Sequence, residues 1–337
     1  MNIIDKDLFC CLLCKKDITL KVFEAEEHNG DNIREGVFFC RFCNTFYPIS
    51  KNVPFFLDKS YYEQFKVLDF INTWQKEFNF GDYKLPSRSI ANREKLKQVN
   101  FYDADSGSYD DLVSLSVFWR ASDQNTIKRW ADGLPDNGVV LDIGCGTGRC
   151  TIPLARKSKR VIATDISFGM LQRAILKSNA AGFDNITYFL ADAEELPLKE
   201  GIFSAVISFG VLHHVDNPTR VILNVEKLLK SKGVFYALEN NASPLRPVFD
   251  LLMKTHKLWN EEAGRSPVFK RKVIENIINS SGMSSKIYTS TFLPPHLFNL
   301  IGYAAARELL FITDKIFGCI PGVNNFGGQL VIKATKR

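Results

Sequence analysis

The chain has 337 residues, of which 45% are hydrophobic and 24% charged, with a net charge of +6. This is ordinary globular composition with room for about two domains, and it excludes a disordered or low-complexity chain. The basic residues are spread along the chain without the dense runs of a nucleic-acid arm, so an anionic partner is permitted but not required.

Five of the eight cysteines fall in the first 43 residues. Cys11-Leu12-Leu13-Cys14 and Cys40-Arg41-Phe42-Cys43 are two Cys-x-x-Cys pairs with 25 residues between them, the pattern of two knuckles that place four thiolates around a tetrahedral Zn2+. Cys10 is a spare thiol next to Cys11 and an alternative to it. A secreted disulfide framework is the competing reading, but Asp5, Lys6 and Asp7 interrupt any leader-like apolar core in Met1 to Leu20. Structural zinc in a cytoplasmic protein is therefore favoured. A ribbon of this size has too small a core to stand without its metal.

Asp58 to about Gln124 reads as mainly helical. Tyr61, Tyr62, Phe65, Phe70, Trp74, Phe78 and Phe80 recur at near-helical spacing, an aromatic face suited to gluing the ribbon to the C-terminal part of the chain. Phe118, Trp119 and Arg120 are expected under the same lid.

Val139 to Ile143 is an apolar run carrying Asp142, and it reads as a buried parallel strand. Gly144-Cys145-Gly146-Thr147-Gly148 then lets the backbone turn sharply against a ligand, and Thr151 to Ala155 starts a helix whose first amides face that ligand. A dinucleotide fingerprint needs glycine where Arg149 stands and has no carboxylate at the position of Asp142, which weakens NAD and FAD. Asp142 suits a cofactor with an ammonium, a sulfonium and no pyrophosphate, namely S-adenosylmethionine (SAM). Arg160 to Asp165 reads as the second strand, ending in an acid 17 residues beyond Gly148 where both ribose hydroxyls could be accepted. Asn185 to Ala193 reads as the third strand and Phe203 to Gly210 as the fourth, which runs into His213 and His214. Thr219 to Lys230 has helical spacing with Gly233 as its end, and Gly233 to Glu239 gives a fifth strand. Ser285 to Thr291 and Gly328 to Thr335 would be the closing strands.

The insertion from Asn240 to about Ser284 carries a basic cluster of Lys254, His256, Lys257, Arg265, Lys270, Arg271 and Lys272, which suits a solvated helical face or an anionic surface. Leu297 to Ile320 is apolar, yet Arg307, Glu308, Asp314 and Lys315 rule out a simple transmembrane span. It reads as an amphipathic lid over an apolar acceptor, a helix making peripheral membrane contact, or plain core packing.

With these motifs the chain resembles the class I SAM-dependent methyltransferases, whose first motif Asp/Glu-x-Gly-x-Gly-x-Gly is matched at Asp142 to Gly148. The quinone-biosynthesis members of that class share a similar Ser-Phe-Gly stretch followed by a polar pair. Tyr47 to Leu57 resembles the ending of the small zinc-ribbon proteins that include the activator subunit of tRNA and protein methyltransferases. The resemblance implies an α/β, Rossmann-like seven-stranded sheet whose last strand is inserted antiparallel, with an N-terminal zinc ribbon and a helical linker or lid. It implies a zinc ribbon at 1–57, a linker at 58–122 and a catalytic domain at 123–337, with acceptor-side insertions at about 240–284 and 292–326. The implied cofactor set is Asp142, Gly144, Cys145, Gly146 and Gly148 in the turn, Asp165 and Ile166 at the ribose, Asp192 and Ala193 at the adenine, and Phe209. Ser108-Tyr109-Asp110-Asp111-Leu112 resembles the segment that folds over the cofactor, which adds Tyr109.

His213 and His214 are the candidates for chemistry, since a neutral imidazole can take a proton from an acceptor as the methyl arrives. They compete with a reading in which one histidine packs over the adenine or caps the next helix, because in-line alignment alone can carry methyl transfer. Three functions are compatible with these residues: a methyltransferase for a small or lipid-linked metabolite, which is favoured; an RNA methyltransferase; and a silent scaffold of the same fold whose ribbon docks a partner.

Overall fold

The computed structural model describes residues 3–26, 29–64, 66–87, 93–135, 137–255 and 267–337. Four N-terminal strands, β1 (Thr19–Glu26), β2 (Asn29–Cys40), β3 (Thr45–Ser50) and β4 (Val53–Phe56), form an antiparallel meander. Four helices follow: α1 (Val67–Trp74), α2 (Arg93–Asp105), α3 (Tyr109–Leu115) and α4 (Val117–Asp132). Helix α4 runs without interruption through the expected boundary at 122/123.

The remaining chain alternates strands and helices in the expected order. It contains β5 (Val139–Ile143), α5 (Thr151–Ala155), β6 (Arg160–Asp165), α6 (Phe168–Ala180), β7 (Ile186–Ala191), β8 (Phe203–Phe209), α7 (Pro218–Leu228) and β9 (Leu229–Asn240). Then come α8 (Arg246–Thr255), α9 (Arg271–Ser280), β10 (Met283–Ser290), α10 (Pro295–Phe298), α11 (Tyr303–Cys319) and β11 (Gln329–Lys336). Helix starts reflect local chemistry: Ser167 Oγ accepts the Met170 amide ahead of α6, and Asn217 accepts the Arg220 amide ahead of α7, which opens on Pro218.

The expected seven strands are present in the order β7-β6-β5-β8-β9-β11-β10, with β11 antiparallel between β9 and β10. The strand count needs a correction, because among the described residues the sheet has eleven strands. β4 pairs in parallel with β7, at Phe55 with Leu190 and Phe56 with Ala191, so the N-terminal meander continues the catalytic sheet. A second correction concerns Gly233. The helix ends at Leu228 because Leu229 already pairs with Phe203, and Gly233 lies inside β9, where a Cβ would sit 2.8 Å from the Lys230 carbonyl oxygen.

One core runs through both parts. Phe9, Phe38, Tyr47 and Phe56 from the N-terminal unit pack with Phe189, Ala191, Leu196 and Leu198. The aromatic stripe lands mostly on the outer face of the meander, where Trp74 stacks on Phe23 and Phe78 and Phe80 meet Phe39 and Phe46. Tyr61 packs on the catalytic side with Leu171 and Tyr188. Phe65 lies outside the described residues, as do His256, Lys257 and Arg265 of the basic cluster. Lys270 and Lys272 are exposed at the start of α9. Among the described residues, no helix is long and apolar enough to cross a membrane. Helix α11 buries Ala306 and Leu310 against Phe118 and Ala121 of α4.

Candidate cofactor and acceptor site

The C-terminal ends of β5, β6, β7 and β8 open into a cavity of about 340 Å³, closed from above by α2, α3 and the start of α4. Its floor is the glycine turn. Gly144 has φ +66°, and a Cβ there would sit 2.4 Å from the Val211 side chain. Gly146, at φ +52°, faces open space on the cavity side, so a side chain there would fill the cradle. Cys145 and Gly148 do not border the cavity. The Cys145 side chain is buried with Ala163 and Leu171, so only its backbone shapes the turn.

Asp165 and Asp192 both line the cavity, with Ile166 and Ala193 beside them. Asp165 accepts the amides of Gly146 at 2.8 Å and Ser167 at 2.9 Å. Burial pushes its carboxyl up, and those amide bonds offset the push in part. Asp142 departs from expectation. It is 1% exposed, lies outside the cavity wall, and accepts the Thr151 hydroxyl at 2.6 Å, so it ties the turn to the first residue of α5 from beneath. Burial pushes its carboxyl up to about 7, with the Asp165 charge adding to that push.

His213 and His214 line the cavity, their ring centres 4.1 Å apart. His213 Nδ1 lies 2.7 Å from Glu239 Oε2, and both residues are buried. His214 Nε2 lies 3.2 Å from the hydroxyl of Tyr102 in α2. Phe209 lines the cavity as expected, and Tyr109 reaches it from the first turn of α3.

Sequence reasoning missed the residues that dock the lid. Lys95, 8% exposed on α2, reaches Asp192 at 2.6 Å and Glu194 at 3.0 Å, with Asp216 at 3.6 Å. Burial disfavours its ammonium, but the Asp192 and Glu194 carboxylates override that and hold the amine well above its ordinary range. Asp103 accepts from the Ser167 hydroxyl and from the Gly169 amide, and a Cβ on Gly169 would meet Ser106 Oγ at 2.8 Å. Asp110 accepts the Thr147 hydroxyl at 2.7 Å and Lys177 Nζ at 3.0 Å. Arg149 pairs with Asp123 and lies 5.0 Å from the ring centres of both Trp119 and Phe209. Of Phe118, Trp119 and Arg120, Phe118 and Trp119 both border the cavity, Phe118 as a buried side chain, and Arg120 stacks on Tyr303. Glu239 had a readable signal, a carboxylate at the C-terminal end of a predicted parallel strand. Asp110 sits in the Tyr-Asp segment that the sequence singles out for Tyr109, whereas Lys95 and Asp103 lie far from the glycine turn in sequence and carry no signal.

At the other end of the N-terminal unit, the sulfurs of Cys11, Cys14, Cys40 and Cys43 all lie within 4.8 Å of one another. The residues that follow each pair, Lys15 at φ 59° and Asn44 at φ 53°, take left-handed backbone that closes each knuckle. Tyr47 OH approaches Cys11 Sγ at 3.1 Å and accepts the Leu12 amide at 3.0 Å. Cys10 is buried outside this cluster, which removes it as the alternative ligand.

A family profile described as a methyltransferase domain matches residues 141–237. The chain is 31% identical over 171 residues to demethylmenaquinone methyltransferase of Thermobifida fusca, covering 49% of this chain and 70% of that protein. Across this and three further curated relatives the match covers 59–70% of the relative's own length. Among solved structures, a SAM-dependent methyltransferase of Thermotoga maritima superposes with a TM-score of 0.51 at 18% identity, covering 71% of this chain and 100% of the other. A complex between the Haloferax volcanii Trm112 methyltransferase activator and a methyltransferase gives 0.50 at 15% identity, over 71% of this chain and 96% of that one. At these identities the two structures speak for the fold alone.

Proposed function

The chain belongs to the class I SAM-dependent methyltransferases, and from that premise we propose that it methylates a small, largely apolar, hydroxyl-bearing acceptor of the quinol type, free or lipid-linked. The observation that carries this reading is the cavity that holds the histidine pair. Phe101, Val113, Phe118, Trp119, Phe249 and Pro295 line the same cavity as the two imidazoles, which combines apolar surface with two groups able to move a proton. The same acceptor class is favoured by the likeness to demethylmenaquinone and ubiquinone/menaquinone methyltransferases.

The residues present fit SAM, which supplies an electrophilic methyl on sulfur when bound. The open cradle at Gly146 leaves room for a ligand, with Gly144 forming the close turn beside it. Asp165 would hold the ribose hydroxyls, and Asp192 with the Ala193 amide would hold the adenine. Ile166, Phe209 and Tyr109 would enclose the nucleoside. Asp142, Cys145 and Gly148 would act from below by holding the turn. His213 or His214 would receive the acceptor proton while Trp119 and the lid exclude water.

The four cysteines would hold a structural zinc. A tetrahedral site with Zn–S near 2.3 Å sets its sulfurs about 3.8 Å apart, which agrees with the spacing of this cluster. Thiolates kept for a metal need a reducing compartment, which favours a cytoplasmic location. The division into ribbon 1–57, lid 58–122 and catalytic unit 123–337 with its two insertions is part of the same proposal.

The test is transfer of labelled methyl from SAM to a soluble 1,4-naphthoquinol, with bulk RNA as the competing acceptor. Label in the naphthoquinol supports the reading, and label in RNA alone overturns it. D165A should weaken S-adenosylhomocysteine binding by about 100-fold or more in calorimetry, an expectation for losing a paired ribose contact. Unchanged affinity would refute the role of Asp165.

A further inference from the structure

We propose that Glu239 is the positioning residue that makes His213, and not His214, the proton acceptor of methyl transfer, which rests on the function proposed for the same site. Glu239 is the penultimate residue of β9 and 2% exposed. Each of its carboxylate oxygens has a fixed task. Oε1 accepts the Leu212 amide at 2.7 Å and the Val211 amide at 3.0 Å, while Oε2 faces His213 Nδ1 at 2.7 Å. An ionised carboxylate only accepts, so the proton of this bond sits on His213 Nδ1. In the neutral imidazole the basic lone pair is therefore on Nε2, the nitrogen turned from Glu239.

His214 is in a different position. Its Nε2 meets Tyr102 OH of the lid, and its backbone amide is bonded to the Val211 carbonyl. A phenol can donate or accept, so this contact does not assign one tautomer to His214. The carboxylate also stabilises the imidazolium that forms on His213, by a charge-assisted bond already in place.

In the transfer step the acceptor hydroxyl gives its proton to His213 Nε2, and its electron pair, through oxygen or through the conjugated ring carbon beside it, bonds to the methyl carbon. The carbon–sulfur bond breaks with its pair left on sulfur, giving S-adenosylhomocysteine. Where a ring carbon takes the methyl, the hydrogen it carried leaves as a proton and the ring hydroxyl is restored. His213 then releases its proton to solvent.

E239Q is an informative variant because the two backbone amides dictate how the new side chain must lie. Its carbonyl oxygen stays with Val211 and Leu212, so its NH2 group points at His213 Nδ1 and forces the opposite tautomer. In 15N spectra of the full-length protein we expect His213 to carry its proton on Nδ1 in the wild type and on Nε2 in E239Q. Methyl transfer to the naphthoquinol should fall by about 100-fold or more, while S-adenosylhomocysteine affinity stays within about twofold. E239D keeps a carboxylate and should restore the tautomer and part of the rate.

The proposal is overturned if E239Q keeps the wild-type tautomer or rate, or if rate and cofactor affinity fall together, which would make Glu239 only a support for the 211–212 turn. A large loss in H213Q without one in E239Q removes Glu239 and leaves the proposed function standing. A wild type inert toward the naphthoquinol removes the acceptor class, and the 15N spectra then still decide on Glu239.

Discussion

At the β7 edge of the parallel sheet the chain adds only the strands of the N-terminal meander, whereas beyond β9 it adds the antiparallel pair β11 and β10 together with the helices α8 to α11. The N-terminal meander joins β7 through β4 and shares its core, and its polar bonds grip the segment after β7. Cys10 N donates to the Pro197 carbonyl at 2.8 Å, Lys199 N to the Leu8 carbonyl at 2.9 Å, and Lys15 Nζ to the Leu196 carbonyl at 2.9 Å. The residue that follows the β4-paired part of β7 is Asp192. On the acceptor side, α8 and α11 leave Val248, Leu251, Ile312 and Ile316 half-exposed or more. The cofactor flank is therefore built as one cooperative unit, and the acceptor flank as surface elements laid on a finished sheet.

The hardest test of that difference is to remove the metal cluster. C40S should lose the bound zinc and free β4, leaving the apolar β7 edge of Phe189, Leu190 and Ala191 open for aggregation. We expect little soluble protein and no S-adenosylhomocysteine binding in what remains. A soluble C40S that binds cofactor normally would show that the meander is an independent appendage. K95M comes next. It leaves Asp192 and Glu194 without their cation in a mostly buried setting, a loss of about 3 kcal/mol, toward the low end for broken buried pairs because Asp216 keeps its water. Tm should drop by about 6–12 °C. An unchanged Tm in calorimetry would mean that α2 is not anchored by this cluster.

The cofactor flank was readable from the chain because its chemistry is local. The glycine turn and the strand-end acids Asp165 and Asp192 each sit within a few residues of the strand that aims them, and a buried parallel strand announces itself as an apolar run. The two cysteine pairs were readable for the same reason. The pairing of β4 with β7 was not, since 135 positions separate Phe55 from its partner Leu190 and edge pairing leaves no periodic mark. Nothing in the sequence marks Lys95, and the fold sets three carboxylates around it. Asp142 lies on the predicted strand, but its burial beneath the turn with the Thr151 hydroxyl as its partner was not legible from the glycines around it.

Asp142 supplies a smaller test within the cofactor flank. Its carboxyl titrates near 7 in the folded chain against about 4 when unfolded. The folded state therefore favours the protonated acid, and the stability this gives is present below the unfolded value and lost as pH rises toward 7. D142N removes that charge and keeps an acceptor for Thr151. Its Tm should exceed that of the ligand-free wild type at pH 8, by about 2–4 °C for each kcal/mol relieved, and the gain should vanish toward pH 4. A gain that is constant with pH would mean that burial of this carboxylate is not its cause.

The least effect is expected on the acceptor flank. Ile316 is 52% exposed on α11, while the helix is held to α4 through Ala306 and Leu310 on another face. I316S should change stability by no more than about 0.5 kcal/mol, a Tm shift within about 2 °C, and should leave S-adenosylhomocysteine affinity alone. If the acceptor flank is surface laid on a finished sheet, this substitution is felt only by whatever approaches that face. A Tm drop of several degrees, with a concentration dependence, would instead show that α11 is covered by a second copy in solution. The contrast between the flanks would then be one of subunit contact, and no longer one of how the chain completes its sheet.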